Sequence, residues 1–314
     1  MRVITENTIK PLSKSSVVTV GNFDGLHKGH QALIKRCKEH AREGQEVAVV
    51  CFEPLPQAFF RPEKPPARVC SVEQKIQLLE QSGVDLVWMM RFNQQLAQMP
   101  AETFAQSVFA SALAASHVVI GNDFRFGYKR QGNLAALKQY GARLGFEVEA
   151  VADIRIDGER VSSTAIRAAL AAGDMDRARD LLGRAFTMQG KVIRGLGLGR
   201  DLGYPTANMK LEAVPSPVAG VFAVQARIQG EGSWLNAVAS LGRRPVVGGK
   251  EFLVEVHLFD FSADLYGQQL EVRFVEKIRH EEDFESMDDL IVQMKKDEAR
   301  ARDILTRFKQ VKDE

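Results

Sequence analysis

Two histidines three residues apart, His27 and His30, follow a glycine-punctuated turn, Gly21-Asn22-Phe23-Asp24-Gly25-Leu26. That turn joins an apolar, β-branched run, Val17-Val18-Thr19-Val20, to a helical pattern. Such a junction holds phosphate: a helix N-terminus presents unpaired N–H groups and about half a positive charge, and glycines let the backbone approach an anion. A helix beginning near His27 places both imidazoles on one side of its first turn, where each can donate an N–H to a phosphate oxygen. The spacing His27-x-x-His30 with Cys37 one helical face further on also raises zinc. The cysteines, at 37, 51 and 70, form no pair at ligand spacing to support it.

A second anion element stands far downstream. In Val161-Ser162-Ser163-Thr164-Ala165-Ile166-Arg167, hydroxyls at a helix start precede an arginine one turn along. Alone, Ser163 and Thr164 read as an ordinary N-cap. Between the two elements, Val118-Val119-Ile120-Gly121-Asn122-Asp123-Phe124-Arg125-Phe126-Gly127 is a strand running into a polar, aromatic loop.

Together these segments resemble the nucleotidyltransferase superfamily, whose H-x-G-H signature and I-S-S-T-x-x-R motif they match, with Val161 for Ile. The form is similar to the adenylyltransferase module of bacterial bifunctional riboflavin kinase/FAD synthetases. The resemblance implies a Rossmann-like domain in which Gly21, Phe23, Asp24, Gly29, Ser163 and Thr164 meet ATP and its phosphates. It makes His27, His30 and Arg167 catalytic, and sets Asn122, Asp123, Phe124 and Arg125 beside the flavin. Family members often carry His-Pro in the loop after the next strand; here Phe52-Glu53-Pro54-Leu55-Pro56 puts Leu55 at that position.

The 314 residues suggest two domains of ordinary size. With 45% hydrophobic and 26% charged residues, each has material for a core. A net charge of +2 gives no electrostatic footprint for nucleic acid or a membrane surface. Met1 to Ser16 lacks the apolar core of a signal peptide and no run is long enough to span a bilayer, so a cytoplasmic protein is expected. Three unpatterned cysteines fit that compartment as small buried hydrophobes.

The first part alternates strand-like and helical segments, as in a parallel sheet covered on both faces. Val47–Phe52 and Val84–Met90 read as strands. Leu33, Ile34, Cys37 and Ala41 have helical spacing, as do Glu73–Ser82 and Ala101–Ala115. Pro54–Pro66 reads as a loop. Two helical patterns, Thr164–Ala172 and Asp174–Leu182, close this part, and Gly183-Arg184 is the expected boundary between domains 1–184 and 185–314. Beyond it the period becomes two: Phe222, Val224, Ala226 and Ile228 alternate, as do Phe252, Val254, Val256 and Leu258, and Leu270, Val272 and Phe274. Antiparallel strands in a small barrel or sandwich follow, then one helix with Ser286 as N-cap. Its stripe Met287, Leu290, Ile291 and Met294 should pack on the sheet.

This second part has its own phosphate candidate in Gly195-Leu196-Gly197-Leu198-Gly199-Arg200-Asp201-Leu202-Gly203-Tyr204-Pro205-Thr206-Ala207-Asn208. It is no dinucleotide fingerprint, which must open a helix, since more glycines and Pro205 follow. Thr206 and Asn208 offer neutral oxygens suited to a hard cation such as Mg²⁺. On residue chemistry alone a flexible surface loop is the commoner explanation of the run. The string closely resembles the riboflavin kinase motif G-R-x-x-G-x-P-T-A-N. The resemblance implies a β-barrel with Gly195, Gly199, Arg200 and Gly203 at the nucleotide and with Thr206 and Asn208 on Mg-ATP. Alternation sends Glu255 and His257 to the face opposite Val254 and Val256, where a solvent-facing glutamate is the plain reading. The family sets its glutamate base before a D-L-Y-G segment, and Glu255 precedes Asp264-Leu265-Tyr266-Gly267. Where the family commonly has Arg-Pro-Thr, this chain has Arg244-Pro245-Val246.

The resemblance thus implies a bifunctional enzyme that converts riboflavin to FMN with ATP and then FMN to FAD with a second ATP. Its partners are small molecules rather than nucleic acid or membrane. The rivals are another superfamily enzyme, such as an aminoacyl-tRNA ligase, and a flavin-binding protein that has lost an activity.

Overall fold

The computed structural model describes residues 1–6, 10–195, 203–211, 215–228, 232–246 and 249–308. By internal contacts the chain divides into two compact units, Met1–Pro66 with Glu73–Val161, and Ala67–Val72 with Ser162–Glu314.

The first unit runs β1 (Arg2–Ile4), β2 (Ser16–Val20), α1 (Lys28–His40), β3 (Glu46–Glu53), α2 (Pro56–Phe60), α3 (Val72–Gln81), β4 (Leu86–Arg91), α4 (Gln94–Ala97) and α5 (Ala101–Phe104). A π-helix (Ala105–Ala112) continues α5, then come β5 (Ala115–Gly121), α6 (Leu134–Leu144), β6 (Glu147–Val151) and a hairpin of β7 (Arg155–Ile156) and β8 (Glu159–Arg160). Six strands form a parallel sheet in the order β1-β4-β3-β2-β5-β6. Both faces are covered, which is why β2 is buried at every position. Val18 and Val20 face a core with Phe104, Val108 and Phe109, while Val17 faces Leu33 and Cys37 of α1. The expected loop at Pro54–Pro66 contains a helix, α2, because Pro56 supplies the preset φ of a first helical position. Chain direction across the sheet reverses between β2 and β5, so the crevice at their carboxyl ends is the position for a ligand.

The second unit contains α7 (Ser163–Ala172), α8 (Met175–Leu182), β9 (Thr187–Ile193), β10 (Ala207–Leu211), β11 (Gly220–Ile228), β12 (Leu235–Val246), β13 (Gly249–Leu258), β14 (Gln269–Arg279) and α9 (Met287–Arg307). The strands close into an antiparallel barrel, β10-β13-β12-β11-β14-β9, closed by β9 on β10. Met209, Phe222, Val224, Val254, Val256 and Phe274 are buried within this unit. The sequence reading puts α7 and α8 in the first part; by contact they belong here, α8 packing on β14. The alternation along β11 understates its burial: Ala223 also is covered, by Ala301, Ile304 and Leu305 of α9. Ser286 is the N-cap of α9, accepting from the Asp289 N–H at 3.2 Å. The expected stripe at its start packs less than its end, for Met287 is 49% exposed. A bidentate pair between Arg279 and buried Asp297 holds the helix, at 3.0 and 2.8 Å.

Candidate active sites

In the first unit the turn after β2 is contorted: Phe23 and Leu26 have φ of 49° and 42°, and Gly25 has 81°. Burial of Phe23, Asp24 and Leu26 holds it there. His27 is the N-cap of α1, its Nδ1 accepting from the His30 N–H at 3.2 Å. That bond needs the Nδ1 lone pair, so neutral His27 carries its proton on Nε2. The two imidazoles stack, centroids 3.6 Å apart and 15° between planes, with the Phe23 ring 4.7 Å from His30. Gly29 permits this, because a Cβ there would lie 3.1 Å from the His27 ring; Gly21 similarly lies under Phe23. Burial, then His27, then the charge of Lys75, hold the His30 pKa well below its usual range. His30 is therefore neutral at physiological pH.

Across the switch point, the turn after β5 places Asn122, Asp123 and Arg125 in solvent and Phe124 half-buried. Phe124 stacks on Phe126 at 5.2 Å; Arg160 holds Asp123 at 2.7 Å. An aromatic face beside exposed polar groups suits a planar heterocycle. Leu55, at the family's histidine position, is buried. Cys37 and Cys51 are buried too, their thiols pushed up to about 12 and about 11 chiefly by that burial, which makes them packing groups.

In the second unit the N-cap of α7 is Ser162, which accepts from the Ala165 N–H at 3.1 Å. Ser163 and Thr164 are therefore the first two helical residues and not the cap, where backbone N–H groups lack intrahelical partners. Arg167 Nε donates to the Ala67 carbonyl at 2.5 Å, which orients its guanidinium.

The barrel brings Asn208 and Glu255 together as direct partners across β10 and β13, with Ser240 of β12 opposite Glu255 on its other side. Directly opposed residues share one face, about 4.5–5.5 Å apart at Cβ. Val254 and Val256 are buried and Glu255 is half-buried, as the alternation requires. Asn208 Nδ2 lies 3.5 Å from the Thr206 carbonyl, and a Cβ at Gly195 would collide with the Asn208 carboxamide. Gly195 thus clears space for Asn208. Gly203 has φ of 80°; Gly199 and Arg200 lie outside the described residues. The approach to Thr206 is anchored by two groups to which the sequence reading gave no role. His257 Nδ1 pairs with the Pro205 carbonyl at 2.9 Å. The Tyr204 hydroxyl, its pKa pushed up by burial and by Glu298 of α9, donates to that carboxylate. Among the described residues no cluster of three or more His, Cys, Asp or Glu side chains could hold a metal. Thr206 and Asn208 offer neutral oxygens of the kind a hard cation takes.

Comparison with known proteins is consistent across the chain. Residues 9–165 match the FAD synthetase family and residues 182–305 the riboflavin kinase family. A bifunctional riboflavin kinase/FMN adenylyltransferase of Haemophilus influenzae is 43% identical over 286 residues, 91% of this chain and 92% of that one. Those of Pseudomonas fluorescens and Escherichia coli K12 are 43% and 40% identical, covering 94% and 91% of this chain and 95% and 92% of theirs. A solved structure described as a macrolide-efflux protein from Streptococcus pneumoniae superposes with a TM-score of 0.82 at 32% identity, covering 96% of this chain and 98% of that chain. Among the described residues no helix is long and apolar enough to cross a membrane.

Proposed function

This chain belongs to the bifunctional riboflavin kinase/FMN adenylyltransferase family, and on that premise we propose how its own residues divide the two reactions. It is an enzyme of flavin cofactor biosynthesis, phosphorylating riboflavin to FMN and adenylylating FMN to FAD. The reading as an aminoacyl-tRNA ligase gives way to this family match.

In the first reaction the 5′-hydroxyl of riboflavin attacks the γ-phosphorus of ATP, forming the new O–P bond as the β,γ-bridge breaks and ADP leaves. Glu255 takes the hydroxyl proton. Thr206 and Asn208 hold Mg-ATP; the ion, when bound, neutralises phosphate charge. The observation that supports this reading is the cross-strand pair, Asn208 opposite Glu255, two side chains on one face of one ladder that suit a nucleotide contact and a base. Gly199, Arg200 and Gly203 belong to the same nucleotide segment by motif.

In the second reaction an FMN phosphate oxygen attacks the α-phosphorus of another ATP, and pyrophosphate leaves as the α,β-bridge breaks. His27 and His30 donate N–H bonds to charge developing there, preorganised by their stacking and by the helix cap. Gly21, Phe23, Asp24 and Gly29 shape that turn. By motif, Ser163, Thr164 and Arg167 are assigned to the departing phosphates, and Asn122, Asp123, Phe124 and Arg125 to the flavin. The FMN phosphate is itself the nucleophile, so no covalent enzyme intermediate forms. We assign FMN adenylylation to 1–184 and riboflavin phosphorylation to 185–314, in the cytoplasm where ATP is supplied.

Incubating the purified protein with riboflavin, ATP and Mg²⁺ and separating the flavins by chromatography tests both assignments. FMN should appear first and FAD after it; absence of both would overturn them.

A further inference from the structure

A buried lysine reaches the histidine turn from another helix. Lys75, on α3, shares the buried side of that helix with Gln74 and Leu79. It is only 1% exposed, and its Nζ has no hydrogen-bond partner. Lysines ordinarily lay an apolar stem on the protein and keep the ammonium in water; here the tip is inside. An ammonium without water or partner is costly, and that cost is relieved only by a counter-anion.

Its surroundings indicate which anion. The Lys75 charge is felt at His30 of α1 and at the Cys51 thiol of β3, all three residues belonging to the first unit. His30 Nδ1 is a second buried polar atom without a hydrogen-bond partner. Two buried unsatisfied groups from separate elements, one cationic and one imidazole, therefore lie within electrostatic reach of each other. Native proteins pair such groups, and here the missing partner is anionic.

We propose that Lys75 is a further catalytic residue of adenylyl transfer, its ammonium pairing with a phosphate oxygen of the bound triphosphate beside His30. The proposal rests on the reading of the His27–His30 turn as the adenylyl-transfer site. The four-carbon stem lets the ammonium advance to the ligand, where it offers three donors and a full charge in a water-poor setting. Negative charge accumulating around the α-phosphorus and on the departing pyrophosphate is what such a group stabilises. No proton need move, since lysine acts as a fixed cation.

Lys75→Met in the full chain tests this, because it keeps the apolar stem and removes the charge. FMN adenylylation should fall about 10²–10³-fold, the scale for one preorganised donor, while riboflavin phosphorylation by the same preparation continues at the parent rate. The unfolding temperature should hold or rise, since an unpaired buried charge has been removed, and the upward shift that ATP produces should shrink. FAD formation at the parent rate would overturn the proposal. So would loss of both activities with a lowered unfolding temperature in Lys75→Met and Lys75→Gln alike, which would make Lys75 a packing residue. His30→Ala in parallel separates the two readings. If it leaves FAD formation intact, the site reading falls and the Lys75 proposal with it; if only His30→Ala impairs the step, the Lys75 proposal alone falls.

Discussion

Asn208 and Glu255 face each other across the β10–β13 ladder, so any movement of one strand against the other changes the distance between the proposed nucleotide contact and the proposed base. Barrel closure resists such movement, each strand being bonded on both sides.

The two reactions should dissociate by mutation. Glu255→Gln keeps shape and removes the base, so riboflavin phosphorylation should fall about 10²–10⁴-fold while FMN-to-FAD conversion continues. His30→Ala should do the reverse, by about 10²–10³-fold. Flavin chromatography from each substrate reads both, with circular dichroism confirming the fold. Retention of phosphorylation in Glu255→Gln would return Glu255 to an ordinary outward-facing glutamate.

Gly195→Ala probes the Asn208 carboxamide without touching it chemically. The added methyl group collides with that side chain, so Asn208 must turn away, at about 1–3 kcal/mol of overpacking. KM for ATP in riboflavin phosphorylation should rise and FMN adenylylation should be unchanged. Unaltered kinase kinetics would show that Asn208 is not a nucleotide contact.

The environment of His30 predicts a pH dependence of stability. Its folded pKa lies below its unfolded value near 6.5. Above about pH 6.5 both states are neutral there and the group adds no slope. As pH falls below that value the unfolded chain binds the proton first, so stability is lost down to the folded pKa. Denaturant unfolding of the parent and His30→Gln from pH 8 to pH 5 should show a constant difference above pH 6.5 and a loss specific to the parent below it. Parallel curves throughout would mean that His30 titrates as in the unfolded chain.

The metal should arrive with the nucleotide. Thr206 and Asn208 contribute only neutral oxygens, which hold Mg²⁺ weakly without phosphate charge. Calorimetry of Mg²⁺ into the free protein should give little heat, and in the presence of ATP a clear binding isotherm. Stoichiometric uptake without nucleotide would contradict this.

The sequence by itself determined the parallel sheet of the first unit, the strands of the second, and the motifs that carry chemistry. These depend on local patterns: period two against period 3.6, glycine at turns, and His27 three residues before His30. Even the outward direction of Glu255 follows from alternation with Val254 and Val256. The tertiary structure decided what depends on partners distant in the chain. Barrel closure needed β9 beside β10, and the compact units divide near Val161 where periodicity suggested Gly183. Ser162, not Ser163 or Thr164, proved to be the cap. Gly195 read as a phosphate glycine and is packed against Asn208. Lys75 had no reading of its own within the Glu73–Ser82 helical pattern; its place on the buried stripe with Leu79 was the available signal. Whether a side chain is capped, crowded or left without a partner is set by atoms from other elements, and only folding brings those within reach.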